Sequence, residues 1–292
     1  MEIEAFLDYD TLRYSDHKGE SGLKSTLFGL AERHEIHNFF RLFDLADSDL
    51  LRDLRRDIRT ILQKASAQPH LQRHVSDRKV AEIAGIGHYS GIVTEPLPVH
   101  IYDTCAGTGI LAHLISRLRG EHARTTADCI ESRSESVVPF EHLRNIFALG
   151  NPGIRFEHGT VQKKAFMPHP GRSTYVLAKH ACGDTVTGVI EGFSRSLPRQ
   201  ATLLTCCHGK SRETPPNAAR AGVSPEEWRL LVKIADWTSS SDEEKKIIGR
   251  VAMRIMDGLR IIGLSSEIQA CVREVANPHM SVKNQAICLV TL

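Results

Sequence analysis

The stretch that decides the fold is residues 99–112, VHIYDTCAGTGILA. It reads as a buried strand that runs into a glycine turn and then into an apolar helix. The chain downstream keeps the same sense. RTTADCIES is a second strand, SVVPFEHLRNIFALG a helix that tolerates Pro139 near its start, and GIRFEHGTV a third strand. STYVLAKHACGD is a fourth strand, TVTGVIEGFSRSL its helix, and ATLLTCCHGK a fifth strand. Two helices follow, SPEEWRLLVKIADWT and SDEEKKIIGRVAMRIMDGLRIIGL, before the closing strands EIQACVREVA and NQAICLVTL. Such alternation predicts an α/β fold with a mostly parallel sheet covered by helices on both faces. The closing pair predicts an antiparallel strand added at one edge.

Upstream of this stretch the texture differs. Residues 21–66 carry apolar side chains at helical intervals throughout. Pro96 and Pro98 in TEPLPVH mark a loop, so we divide the chain into a helical N-terminal region, 1–95, expected to cap the substrate cleft, and an α/β domain, 96–292. Arg52, Arg55, Arg56 and Arg59 interleave with Asp53 and Asp57, which reads as a solvated helix face; a substrate-facing basic surface is the alternative. The 292 residues carry 37 basic and 35 acidic side chains, a formal charge of +2, which gives no support to a strong nonspecific nucleic-acid binder. No run approaches the ~18 apolar residues of a membrane span. The opening MEIEAFLDYD lacks the basic-then-apolar order of a secretory signal. Seven cysteines, scattered and with no C-x-x-C pair, predict a reduced, cytoplasmic protein without a disulfide framework. Cys129, Cys271 and Cys288 read as small buried hydrophobes.

The glycine turn has several readings. Gly107, Gly109 and Ala112 satisfy the G-x-G-x-x-A spacing of dinucleotide sites, and spacing alone does not separate a dinucleotide from other ligands. A P-loop is excluded because no G-x-x-x-x-G-K-[ST] occurs. Asp103, four residues before Gly107, separates the remainder. A carboxylate there would repel a pyrophosphate but suits a cationic ligand. S-adenosylmethionine carries an ammonium, a sulfonium and a carboxylate. Asp103 would face the ammonium, directly or through water, while Cys105, Ala106, Gly107 and Gly109 form the turn that lets backbone approach. The helix N-terminus near 108–110 would favour the carboxylate. Glu131, at the end of the second strand, is placed to accept both ribose hydroxyls. Thr160 and Val161, with Gln162, fall where the third strand end would meet the adenine. A dehydrogenase using the same glycines is the minor alternative.

A second constellation lies at the fourth and fifth strand ends, AKHACGD (178–184) and TCCHGK (205–210). With these motifs the chain resembles a group of class I, Rossmann-like methyltransferases in which D-x-x-x-G-x-G is followed by K-H-x-C-G and C-C-H. The group includes the eukaryotic tRNA acceptor-stem ribose 2′-O-methyltransferases and methyltransferase-like proteins of undefined substrate. DRKVAEIAGI and SVKNQAICL resemble its K-x-x-E and S-x-x-N elements, so the likeness spans about residues 77–292. The tRNA enzymes carry cysteine/histidine zinc modules ahead of this domain, whereas this chain has no cysteine before Cys105. Asp184 also follows Gly183 directly instead of a few residues later.

From these residues we expect an S-adenosylmethionine-dependent methyltransferase acting on a hydroxyl or amine. His180 or Asp184 would take the proton, Lys179 would steer an anionic acceptor or touch the cofactor, and His208 would sit beside them. No metal site is assigned, although a set of His180, Cys182, Cys206 and His208 stays open as ligand types zinc favours, as does inert packing of the same residues. The favoured acceptor is a small molecule. RNA ribose is the alternative, and an inactive cofactor-binding partner protein is the alternative from another class.

Overall fold

The computed structural model describes residues 21–41, 49–65, 76–120, 124–147, 153–162, 164–276 and 284–292. The opening decapeptide, and Ser281 of the S-x-x-N element, lie outside them. The described elements in chain order begin with α1 (Ser21–Arg33), β1 (Phe40–Arg41), α2 (Asp49–Ala65) and α3 (Asp77–Tyr89). They continue with β2 (Val99–Thr104), α4 (Ile110–Arg119), β3 (Thr125–Glu131), α5 (Val137–Phe147), β4 (Ile154–His158), β5 (Ser173–Ala181) and α6 (Asp184–Ser196). The remainder is β6 (Gln200–Thr205), α7 (Pro216–Arg220), α8 (Pro225–Ala235), α9 (Glu243–Ile261), β7 (Ile268–Glu274) and β8 (Gln285–Thr291).

The strands form one sheet in the order β1-β7-β8-β6-β5-β2-β3-β4. All neighbours are parallel except β8, which runs antiparallel to both β6 and β7. This is the Rossmann-like arrangement of methyltransferases, with helices on both faces. The antiparallel strand is not at an edge, as the sequence suggested, but inserted between β6 and β7. Its burial explains the position: the first five residues of β8 are all buried, which requires a neighbour on each side, whereas β7 is buried only in part.

Period-two alternation sends neighbouring strand residues to opposite faces. Val99, Ile101, Tyr175, Leu177 and Leu204 belong to one apolar layer, with Tyr102, Val176, Ala178 and Leu203 in the other. The first layer takes α2, α3, α4 and α5, and the second takes α1, α6, α8 and α9. Leu51, Leu54, Ile58 and Leu62 line one stripe of α2 and enter the same core as Val99 and Ile101. The line drawn at 95/96 is therefore not a division of the core. Nor is the N-terminal region continuous helix: α1 ends at Arg33, Glu35 takes φ +48, and a 3-10 turn leads into β1, which pairs with β7.

Candidate active site

The site is assembled at the carboxyl ends of β2, β3, β4, β5 and β6. After β2 the chain crosses Cys105, Gly107 and Gly109 at φ +59, +55 and +72. Gly109 has two reasons to be glycine: that φ, and a Cβ that would lie 2.7 Å from the Phe140 ring of α5. Cys105 has no such exemption and holds a left-handed conformation that costs about 1–2 kcal/mol in a non-glycine residue. Burial pushes its thiol up to about 12.

Asp103 lies beneath this turn, buried, with Oδ2 accepting the Ala112 N–H of α4 at 3.2 Å. It thus caps the helix from below. Burial raises its carboxyl to about 7, against the opposing pull of the Ala112 N–H and the Lys179 charge. Glu131 reaches the turn from the end of β3. Its Oε2 accepts the Gly107 N–H at 2.8 Å, and Oε1 accepts the backbone and Nε hydrogens of Arg133 at 3.0 and 3.1 Å. Burial opposes its charge, but these bonds outweigh burial and hold the carboxyl below its ordinary range. Oε1 also faces the Ser132 hydroxyl at 3.4 Å, so its lone pairs are taken, whereas Oε2 keeps one for a further donor.

Glu131 opens onto a cleft lined by Cys105, Ile130, Ser132, Gly159, Thr160, Val161, Gln162 and Thr185. Of the residues expected to hold a cofactor, Cys105, Glu131, Thr160 and Val161 form this wall. Ala106, Gly107 and Gly109 shape the turn, and Asp103 supports it from below. Thr185, in the first turn of α6, was missed because a threonine after an N-terminal aspartate looks like ordinary helix-start chemistry.

Lys179 and His180 sit at the end of β5, where the register with β6 slips between Lys179 and Ala181. His180 is the bulged residue, at φ +71, and the bulge re-aims its side chain. Its Nε2 is 3.3 Å from Oε2 of Glu82, and the Nζ of Lys179 is 3.7 Å from the same oxygen. Glu82 comes from α3 and is 0% exposed, whereas the His180 side chain is 31% exposed. A fully buried carboxylate thus backs a recessed Lys179 and a partly exposed His180. Burial lowers the pKa of Lys179, with Glu82 acting against it. Glu82 belongs to the K-x-x-E element, so its signal was in the sequence, but nothing there placed it against His180.

Two expected site residues have other duties. Asp184 is the first residue of α6, and both its oxygens accept the Arg212 N–H at 3.1 Å, which fastens the loop after β6 to that helix. His208 is buried, with Nδ1 3.0 Å from the Cys206 carbonyl and Nε2 2.9 Å from Asp257 Oδ1. Both ring nitrogens are thus engaged within the fold. Asp257 also accepts from Thr205 and Arg260, each at 2.7 Å, and Arg260 reaches the Ser211 hydroxyl. This buried network joins α9 to β6 and to the following turn. Beside it, the Cys182 and Cys206 sulfurs lie 2.9 Å apart, and Cys207 is 3.6 Å from Cys206.

A Rossmann-like sheet with one inserted antiparallel strand, a glycine turn after β2 and an acid closing β3 defines the class I methyltransferase architecture. A family model described as "Methyltransferase domain" matches residues 52–214, more than half of the chain, and the protein belongs to that family. It is an S-adenosylmethionine-dependent methyltransferase. The match begins within α2, upstream of the proline break. Among solved structures, the chain is similar to the S-adenosylhomocysteine-bound methyltransferase PaMTH1 of Podospora anserina, at 8% identity and TM-score 0.46, over 86% of this chain and 97% of that one. It is also similar to an S-adenosylmethionine-dependent methyltransferase of Aquifex aeolicus, at 15% identity and TM-score 0.37, over 80% and 97%. An rRNA methylase of Streptococcus thermophilus aligns at 9% identity and TM-score 0.38, over 71% and 96%. No curated protein matches the chain in sequence. Among the described residues no helix is long and apolar enough to cross a membrane.

Proposed function

We propose that the cleft beside Glu131 holds S-adenosylmethionine and that the methyl acceptor is a hydroxyl or amine of a small molecule seated against His180. S-adenosylmethionine, when bound, supplies a methyl on a sulfonium. The protein's residues then have separable tasks. Glu131 accepts the ribose hydroxyls, one on the Oε2 lone pair that Gly107 leaves available and one in place of the Arg133 Nε hydrogen on Oε1. Asp103 sets the turn through Ala112 and acts on the ammonium by its charge. Thr160 and Val161 meet the adenine, and Cys105 and Ala106 bound the turn.

The observation that carries the acceptor side is the pairing of His180 with the buried Glu82. In-line methyl transfer needs position first and a proton sink second. His180 takes the acceptor proton at a free ring nitrogen, and Glu82 stabilises the imidazolium that results. Lys179, in reach of the same carboxylate, steers an anionic group of the acceptor. Asp184 and His208 act as positioning residues for the loop after β6. The small-molecule reading is supported by the recessed Lys179, whose side chain is only 12% exposed. It is supported also by the state of α2, three of whose four arginines pair with acids: Arg52 with Asp49, Arg56 with Asp53 and Asp57, Arg59 with Asp77. A face neutralised in this way offers little attraction to phosphate.

The test is transfer of radiolabelled methyl from S-adenosylmethionine into a fractionated host extract, with His180→Ala as control. Label in the low-molecular-weight fraction, lost in the variant, is expected. Label confined to RNA would overturn the acceptor assignment, and equal label with His180→Ala would overturn the role of His180.

A further inference from the structure

Among the described residues, one group of three potential metal-ligating side chains has all its ligand atoms within 4.8 Å of one another: Cys182, Cys206 and Cys207. They arrive from two neighbouring strand ends, Cys182 after β5 and the vicinal pair after β6. The backbone is shaped to bring them together. His180 bulges out of β5, and Gly183, at φ +54, packs so closely on the next loop that a Cβ would fall 2.6 Å from the Lys210 carbonyl. Inert packing accounts for a buried thiol surrounded by apolar side chains. It does not account for three sulfurs in mutual contact, of which Cys182 and Cys207 are only partly buried.

We propose that Cys182, Cys206 and Cys207 bind one zinc ion through three thiolates, with the fourth position open. Tetrahedral zinc with Zn–S of about 2.3 Å sets its sulfurs about 3.8 Å apart. The sulfurs here span 2.9 Å to at most 4.8 Å, so modest side-chain rotation reaches that geometry. An all-sulfur donor set selects soft or borderline cations over magnesium or calcium. His208 is not the fourth ligand, because both its ring nitrogens are engaged, and His180 is turned to Glu82. Three protein ligands and an open position are the pattern of reactive zinc, not structural zinc. Cys182 follows His180 by two residues at the end of β5, which places the ion beside the proposed methyl-transfer site. The metal site does not depend on the acceptor assignment.

The test uses the full chain, reduced and stripped of metal, titrated with zinc against a chromophoric chelator and separately with cobalt(II) as a spectroscopic probe. One zinc per chain is expected, with a sulfur-to-cobalt charge-transfer band. Cys182→Ser and Cys207→Ser should each weaken zinc binding by at least about tenfold, whereas Cys105→Ser should keep wild-type stoichiometry. Circular dichroism of each variant establishes that it is folded. Calorimetry with S-adenosylmethionine on the metal-free chain separates loss of this site from failure of the cofactor reading. Zinc bound equally by both serine variants, no zinc bound by the wild type, or cobalt bound without sulfur charge transfer would each overturn the proposal.

Discussion

Asp103 carries a conflict that can be read out by pH. The folded chain buries its carboxyl and raises it from 3.8 to about 7. An acid whose folded pKa is raised stabilises the fold fully below its unfolded value, and that contribution is lost as pH rises through the folded value. Between about pH 4 and pH 7 the unliganded protein should therefore lose stability at this residue. Bound ammonium should reverse the preference, since it needs the charged form. Melting curves of wild type and Asp103→Asn at pH 5 and pH 8 check the first half: the variant should show the smaller drop. Calorimetry checks the second: S-adenosylmethionine affinity should rise with pH in the wild type and stay flat in Asp103→Asn. Equal slopes in both proteins would remove Asp103 from the cofactor site. Asp103 and Glu131 were legible in the sequence as carboxylates near the ends of two apolar strands, at set distances from the glycines. The bulge at His180 was not, since a histidine at φ +71 has no pattern in a single chain.

At the level of elements, the turn after β2 depends on α5 as much as on its own glycines. Gly109→Ala combines a left-handed φ with a Cβ 2.7 Å from Phe140. It should cost about 1–3 kcal/mol in urea unfolding and weaken cofactor binding together with stability. The network under β6 is a separate element-level device. Asp257→Asn removes the charge that Arg260 and His208 share in a fully buried setting. Breaking such a pair costs about 3–5 kcal/mol, so chemical denaturation should show a large loss. If the loss were under about 1 kcal/mol, the histidine would not owe its position to that carboxylate. The strand alternation in the sequence was sufficient to place His208 at the end of β6. It did not show which way the ring turned, because Asp257 lies 49 residues further on. His208 therefore read as a residue beside the acceptor when its partner was out of sight.

Across the whole molecule, the N-terminal region supplies part of the candidate site. α3 lies before the proline break, yet it delivers Glu82 to the end of β5 and shares one core with β2. The break at Pro96 and Pro98 looked like a domain boundary because composition changes there; the core does not change, because α2 and α3 cover the sheet face beside α4. Glu82→Gln tests this dependence. It should lower kcat by at least about tenfold while leaving S-adenosylmethionine affinity within about twofold, and it should move the pH–rate profile, since Glu82 acts on His180. A fall in cofactor affinity of the same size as the fall in kcat would assign Glu82 to the fold and not to the acceptor side.

The central claim is that the acid closing β3 holds the cofactor in the cleft beneath the glycine turn. Calorimetry with S-adenosylmethionine on wild type and on Glu131→Ala, at one pH and with both chains shown to be folded, tests it most directly. We expect one site in the wild type and a loss of affinity of at least about tenfold in the variant, about 1.4 kcal/mol. Wild-type affinity in Glu131→Ala would contradict the account.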